Sequence, residues 1–364
     1  MDAVLHYAQS ILILLFKRGL RMKTYVVIAY VALTVFFQQT LAQTATAEIN
    51  PLVFKNNQNF QRSQAAVVQI TSHAIEDAPS ARTLGKLRQG SGVVINADGL
   101  ILTIGYLILE TEQIEIRTQQ QKSYPAQVVA YDQATGFGLI KSLIPLQGIE
   151  PVKLAKANEQ KLEEMLLVVS AGEVVFSGPT KLKDIRAFTG YWEYHLDSAI
   201  YTSPPITNHS GAGLFNLKGE LIGIGSLFMQ DIMPTEHPTS LAGNMFVPVE
   251  LLEPIFKDML KNGVGPNSRR PWLGINAVER QGRIQIIRVT PQSPAQLAGI
   301  RPGQWLLGIN GEAVENLPSF YKKLWAQPIN AGSIKITIFD GRDINQIPVK
   351  IVDRSATIKK PAGV

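Results

Sequence analysis

Between residues 65 and 249 the chain alternates short apolar runs with turn-forming residues. A first series comprises Ala65–Thr71, Ser91–Ile95, Leu100–Thr103, Gln113–Thr118, Ala126–Ala130 and Gly138–Leu143. A second comprises Met165–Ser170, Ile185–Phe188, Ile200–Thr202, Gly213–Phe215, Leu221–Ser226 and Met245–Val249. Runs of this length, bounded by turn signals such as Ala97-Asp98-Gly99, predict strands, and so many of them predict a mainly β protein built in two halves. The period then changes. Leu251, Leu252, Ile255, Phe256, Met259 and Leu260 recur at helical spacing and predict an amphipathic helix over Pro248–Leu260. Gly263, Gly265 and Pro266 mark 263–270 as a linker.

The N-terminal stretch reads differently. Lys23 leads into an uncharged apolar run, Thr24–Phe37, with small residues beyond it. That order predicts a secretory signal cut after Ala42 or Ala47, the alternative being an uncleaved anchor over Tyr25–Leu41. Residues 1–42 are therefore assigned to a leader and 43–63 to an extension, and the start lies at Met1 or Met22. The mature protein is expected outside the cytoplasm.

Composition narrows the chemistry. With 45% hydrophobic and 18% charged residues over 364 positions, the chain has enough apolar surface for two or three domains with real cores. It has no cysteine, which excludes disulfides, a thiolate nucleophile and cysteine metal sites. No metal or cofactor is expected. The formal charge is +6, of which residues 1–42 hold +3. The remaining +3, without a basic block, gives no support to nucleic-acid binding.

One stretch invites a chemical reading. In Asn208-His209-Ser210-Gly211-Ala212-Gly213, a serine sits in a small-residue turn ahead of the apolar run Leu221-Ile222-Gly223-Ile224-Gly225. Small neighbours allow a tight bend and leave successive amides free for a developing oxyanion. The same pattern also marks ordinary hairpin turns.

Wider motifs tip this balance. Gln89-Gly90-Ser91-Gly92-Val93-Val94 through Leu102-Thr103, together with the Ser210 turn, resembles the HtrA/Deg branch of trypsin-like serine proteases. Trp272-Leu273-Gly274-Ile275 resembles the carboxylate-binding loop of a PDZ domain, and Val289–Gly303 its signature segment. The resemblance implies two six-stranded β-barrels over 64–262 with a cleft between them, a PDZ domain over 271–353 and a tail over 354–364. It also implies an extracytoplasmic location and commonly a homotrimer.

Carried over residue by residue, the resemblance is incomplete. Tyr106 stands in place of the family's histidine and Gly136 in place of its aspartate, leaving Ser210 at the nucleophile position. The oxyanion hole falls to the amides of Asn208 and Ser210. A serine hydroxyl is a weak nucleophile without a base, and a phenol with a reference pKa near ~10 stays protonated at neutral pH. Of the five histidines, His6 lies in the leader, His209 adjoins the serine, and His195 lies in the serine's own half. His73 is alone in the first half, and His237 lies between the last two runs of the second series.

The aromatic group Phe188, Tyr191, Trp192, Tyr194 and Tyr201 either lines a substrate groove or packs as core. Asn244, Met245 and Phe246 fall where the substrate-pairing strand is expected, with Phe246 narrowing the specificity pocket. A helix near Pro318, carrying Phe320, Leu324 and Trp325, forms the second wall of the PDZ groove. That groove receives peptide C-termini or unfolded proteins, or is filled by the protein itself.

Three readings follow. The first is an exported pseudoprotease that binds peptides or misfolded proteins. The second is a serine endopeptidase with a non-standard base such as His73. The third is a structural partner in a mixed trimer with an active relative.

Overall fold

In the computed structural model, which describes residues 58–172, 176–234 and 238–359, every apolar run of the two series overlaps one strand. A helix, α1 (Gln58–Ala65), precedes the first barrel. Its strands are β1 (Val67–Ala74), β2 (Leu87–Val94), β3 (Leu100–Ile104), β4 (Thr111–Arg117), β5 (Ser123–Tyr131) and β6 (Phe137–Ser142), with a helical turn α2 (Ala81–Leu84) between β1 and β2. They close in the order β1-β2-β3-β6-β5-β4. The second barrel comprises β7 (Met165–Ser170), β8 (Phe176–Gly190), β9 (Tyr194–Ser203), β10 (Gly213–Phe215), β11 (Leu221–Met229) and β12 (Gly243–Pro248), closed in the order β10-β11-β12-β9-β8-β7. Closure removes sheet edges and turns the apolar face of each strand inward. Leu166, Val168, Leu182, Ile200, Leu214, Ile222 and Phe246 meet in the second core.

β8 and β9 extend far beyond the predicted runs. Lys181, Lys183, Asp184 and Arg186 break the apolar pattern of β8, yet the strand continues by pairing with β9 from Lys181↔Ser203 to Gly190↔Tyr194. Backbone pairing, not side-chain burial, carries this hairpin outward. Its tip is Tyr191-Trp192-Glu193.

The predicted helix over Pro248–Leu260 is shorter than its pattern. A 3-10 turn spans Val249–Leu251, and α3 covers only Phe256–Asn262. Pro254 lacks the amide and clashes with the preceding turn, so the helix starts after it. Gly263 ends α3 in the left-handed conformation.

The third segment contains β13 (Pro271–Trp272), β14 (Ile275–Arg280), β15 (Arg283–Val289), α4 (Pro294–Leu297), β16 (Trp305–Ile309), β17 (Glu312–Ala313), α5 (Leu317–Trp325), β18 (Ser333–Phe339), β19 (Ile344–Lys350) and β20 (Val352–Asp353). Asn316 caps α5, accepting from the Ser319 amide at 2.8 Å, and Pro318 sits in the first turn where no amide is needed. Phe320, Tyr321 and Leu324 on α5 pack with Leu273, Ile275, Ile286, Ile336 and Ile338.

Two connecting segments pack against the barrels. In the linker 263–270, Ser268 is fully buried, accepts from the Gln133 amide at 2.7 Å and donates to Asp132. In the tail, residues 354–359 are also held. β20 pairs with β13, and the Lys359 amide donates to Glu110 Oε1 at 2.9 Å on the first barrel. All described residues belong to one compact unit. The leader and the predicted anchor lie outside them, and no helix among them is long and apolar enough to cross a membrane.

Candidate functional site

The Ser210 turn is pinned between the barrels. Its carbonyl accepts from the Ser91 amide on β2 at 2.8 Å, and the Gly211 amide donates to Gly225 O on β11 at 2.8 Å. Gly211 has φ +72, and a Cβ there would run into the Ser91 backbone, so only glycine fits. The amides of Asn208 and Ser210 donate to no group among the described residues. The turn thus leaves two backbone donors without an acceptor among the described residues.

Tyr106 fills the place beside the serine. It follows β3 on the 3-10 turn Gly105–Leu107, which the buried guanidinium of Arg88 ties to the residues after it: Nη1 donates to Tyr106 O at 3.1 Å and to Leu109 O. The Tyr106 hydroxyl lies 2.9 Å from Ser210 Oγ and 2.9 Å from Ser226 O. A carbonyl only accepts, so the single phenol proton goes to Ser226 O while Ser210 donates to the phenol oxygen. Burial pushes the Tyr106 pKa up to about 12. At neutral pH only about one molecule in 10⁵ carries the phenolate. The serine proton has no basic acceptor.

Gly136, where the resemblance places an aspartate, is hemmed in as well. Gly136 has φ +82, and a Cβ added there would stand 3.0 Å from the hydroxyl of Tyr194. Tyr194 reaches over from β9 and donates to Thr135 O at 2.6 Å. The nearby Asp132 is engaged elsewhere: Thr135 and Ser268 donate to its two carboxylate oxygens.

No described histidine hydrogen-bonds to Ser210. His73 is exposed near the end of β1. His195 is buried, with Nδ1 2.8 Å from Thr189 Oγ1 and Nε2 3.2 Å from Asp197 Oδ1. His209 turns its Nδ1 to Thr207 O at 2.9 Å. His6 and His237 lie outside the described residues.

The expected substrate-pairing strand is corrected. Asn244, Met245 and Phe246 are all 0% exposed, and β12 is paired by β11 on one side and β9 on the other. No edge is left for a peptide. Phe246 points into the barrel core and narrows no pocket. The aromatic group gathers elsewhere: Trp192 stacks on Tyr194 at 5.9 Å and meets Tyr191 edge-on at 4.8 Å, so these rings build the hairpin tip. Tyr201 lies buried under the Arg186 guanidinium.

The loop Trp272–Ile275 is where its motif predicts, but its amides are engaged. Gly274 N–H and Ile275 N–H donate to Glu193 Oε1 at 2.8 and 2.9 Å, and Leu273 N–H to Oε2 at 3.4 Å. Glu193 is 2% exposed. Burial raises its pKa against the opposing effects of Arg354 and the three amides. Arg270, whose pKa burial lowers to about 10, donates to Gln133 O and Glu193 O and stacks on Trp325 at 3.7 Å. Glu193, Tyr321, Arg270 and Arg354 were not singled out by the sequence. An acid flanked by aromatic residues in Tyr191-Trp192-Glu193-Tyr194 is the one local signal.

With this geometry in view, comparisons with known proteins agree on the fold. The description "Trypsin-like peptidase domain" matches residues 90–224, and "PDZ domain" matches residues 285–325. The chain is similar to the periplasmic serine endoprotease DegP of Escherichia coli K12, 22% identical over 274 residues, covering 70% of this chain and 55% of that protein. It is also similar to a probable serine protease do-like of Buchnera aphidicola, 25% identical over 280 residues, covering 72% and 56%. The chain spans about half the length of the curated relatives it matches. Among solved structures, the serine endoprotease from Yersinia pestis aligns with TM-score 0.50 and 21% identity over 82% of this chain and 97% of that one. The HtrA-type protease AlgW with decapeptide aligns with TM-score 0.50 and 17% identity over 81% and 98%.

Proposed function

Starting from an HtrA/Deg-like chain, a trypsin-like peptidase domain followed by a PDZ domain, we propose an exported pseudoprotease that holds peptides or unfolded polypeptides without cutting them. The observation that carries this reading is the partner of Ser210 Oγ: the neutral Tyr106 hydroxyl at 2.9 Å. Proteases of this fold that lose one triad member keep only about 10³–10⁴ of rate over water, from the oxyanion hole and binding. Here two positions are replaced. Incubation with unfolded casein therefore yields no cleavage that disappears on Ser210→Ala. Cleavage that does disappear overturns the reading.

Export is supported by the signal-like N-terminal segment and by relatives named as periplasmic. Fractionation of cells expressing the full chain tests it. A homotrimer is the assembly the family resemblance implies, and light scattering on the purified chain decides it.

One observation favours the second reading, a working endopeptidase with another base. The Asn208 and Ser210 amides remain without acceptors among the described residues, as an oxyanion hole requires. That reading predicts fluorophosphonate labelling of Ser210 in the folded protein; the pseudoprotease reading predicts none.

A further inference from the structure

A PDZ groove takes a polypeptide end in two ways at once. Consecutive loop amides receive the terminal carboxylate, and the neighbouring strand edge pairs with the main chain. In this molecule both are already engaged by two residues at the tip of the β8–β9 hairpin. The Glu193 carboxylate accepts from Leu273, Gly274 and Ile275, and the Tyr191 carbonyl, two residues earlier, accepts from the Ala277 amide of β14 at 3.0 Å. Tyr191-Trp192-Glu193 thus imitates the last three residues of a peptide, with a side-chain carboxylate in place of a C-terminal one.

The tip is fastened from the other wall of the groove. The Tyr321 hydroxyl, on α5, donates to Gly190 O and accepts from the Glu193 amide, both at 3.1 Å. Arg354 donates to Trp192 O at 3.4 Å. Lys322 on the same helix holds Asp197, on the hairpin stem, at 2.6 Å.

We infer that the hairpin tip is an internal, exchangeable ligand of the PDZ groove, and that the partner replacing it is a polypeptide C-terminus bearing a free α-carboxylate. Two features make the internal ligand replaceable. Glu193 adopts φ +56, a left-handed conformation that costs a non-glycine residue energy. Its carboxylate also sits on a side chain, so the main chain must turn away at the point where a true C-terminus simply ends. An α-carboxylate meets the same amides without either cost. Against this, the tip is tethered at an effective concentration of about millimolar, so an outside peptide binds only through the fraction of molecules in which the groove is open.

This inference rests on the peptide-binding half of the function proposed above and is independent of whether Ser210 is silent. It is tested on the full chain by fluorescence anisotropy with a fluorescein-labelled peptide ending Gly-Tyr-Trp-Val with a free carboxylate, beside its C-terminally amidated form. Wild type binds weakly. Glu193→Ala binds about tenfold tighter or more. Tyr321→Phe, which keeps the ring and the carboxylate loop and removes only the hydroxyl holding the tip, binds several-fold tighter. The amidated peptide loses this binding throughout. Equal affinity in wild type and both variants overturns the latch while leaving peptide binding standing. Absence of binding in all three overturns both, whatever the casein assay shows.

Discussion

The serine cleft and the PDZ groove are each filled by a side chain of the same molecule, yet the two fillings are undone in different ways. Tyr106 is built into the barrel: its turn is part of the first barrel, held by the Arg88 guanidinium, and its hydroxyl lies beside Ser210. Glu193 replaces a ligand. It sits at the tip of a hairpin that runs out from the second barrel, and the loop amides it occupies remain intact beneath it. One site is filled by a side chain fixed in the barrel and the other by the tip of a hairpin. The difference teaches that a chain can keep the geometry of a site while changing only who sits in it.

The comparison breaks first where the two domains are joined. Arg270→Ala removes the buried guanidinium that holds Gln133 O and Glu193 O and stacks on Trp325. With two hydrogen bonds from a charged donor at about 1.5–3 kcal/mol each, it is expected to cost about 3–5 kcal/mol, and to separate one calorimetric transition into two as barrels and PDZ domain melt independently. A single unshifted transition would show that the contact carries no coupling.

Next in size is the closure around Gly136. Tyr106→His combined with Gly136→Asp restores both side chains in name, yet residue 136 has φ +82 and faces the Tyr194 hydroxyl. The double variant is expected to lose about 2–3 kcal/mol of stability and to leave casein uncut. Casein cleavage by it would mean that the closure around Gly136 is slack. The roughly tenfold gain in peptide affinity on Glu193→Ala, worth about 1.4 kcal/mol, follows in size.

The smallest effect at neutral pH is an alkaline one. Burial raises the pKa of Tyr106 and of Tyr201 to about 12, above the ordinary phenol value. The stability each contributes is fully present below pH ~10 and is lost as pH rises toward ~12, because the unfolded phenol ionises first. Chemical denaturation across this window should show stability falling. Tyr106→Phe should flatten part of that fall, and an unchanged slope would separate Tyr106 from it.

Much of this architecture was legible along the chain, for a local reason. The runs from Ala65–Thr71 to Met245–Val249 foretell strands because alternation and turn residues act over a few positions. The left-handed glycines Gly211 and Gly274 mark the two turns for the same reason. Other features escaped. β8 carries Lys181, Lys183 and Asp184 and reads as polar, although cross-strand hydrogen bonds to β9 hold it as a strand. Asn244–Phe246 read as an accessible strand, and only closure of the barrel shows both of its edges taken. Residues 263–270 read as a linker from their glycines and proline, while Ser268 and Arg270 bury themselves against the first barrel.

From the sequence alone came the residue types that flank Ser210 and the short motifs that shape the two turns, since those depend on residue identity and near-neighbour sterics. What fills the sites was decided by tertiary structure. Tyr106 meets Ser210 across 104 positions of chain, and Glu193 meets Gly274 across 81. No local pattern specifies such a meeting, because it is selected by how the barrels close and where a hairpin lands, and by the need to give every buried polar group a partner.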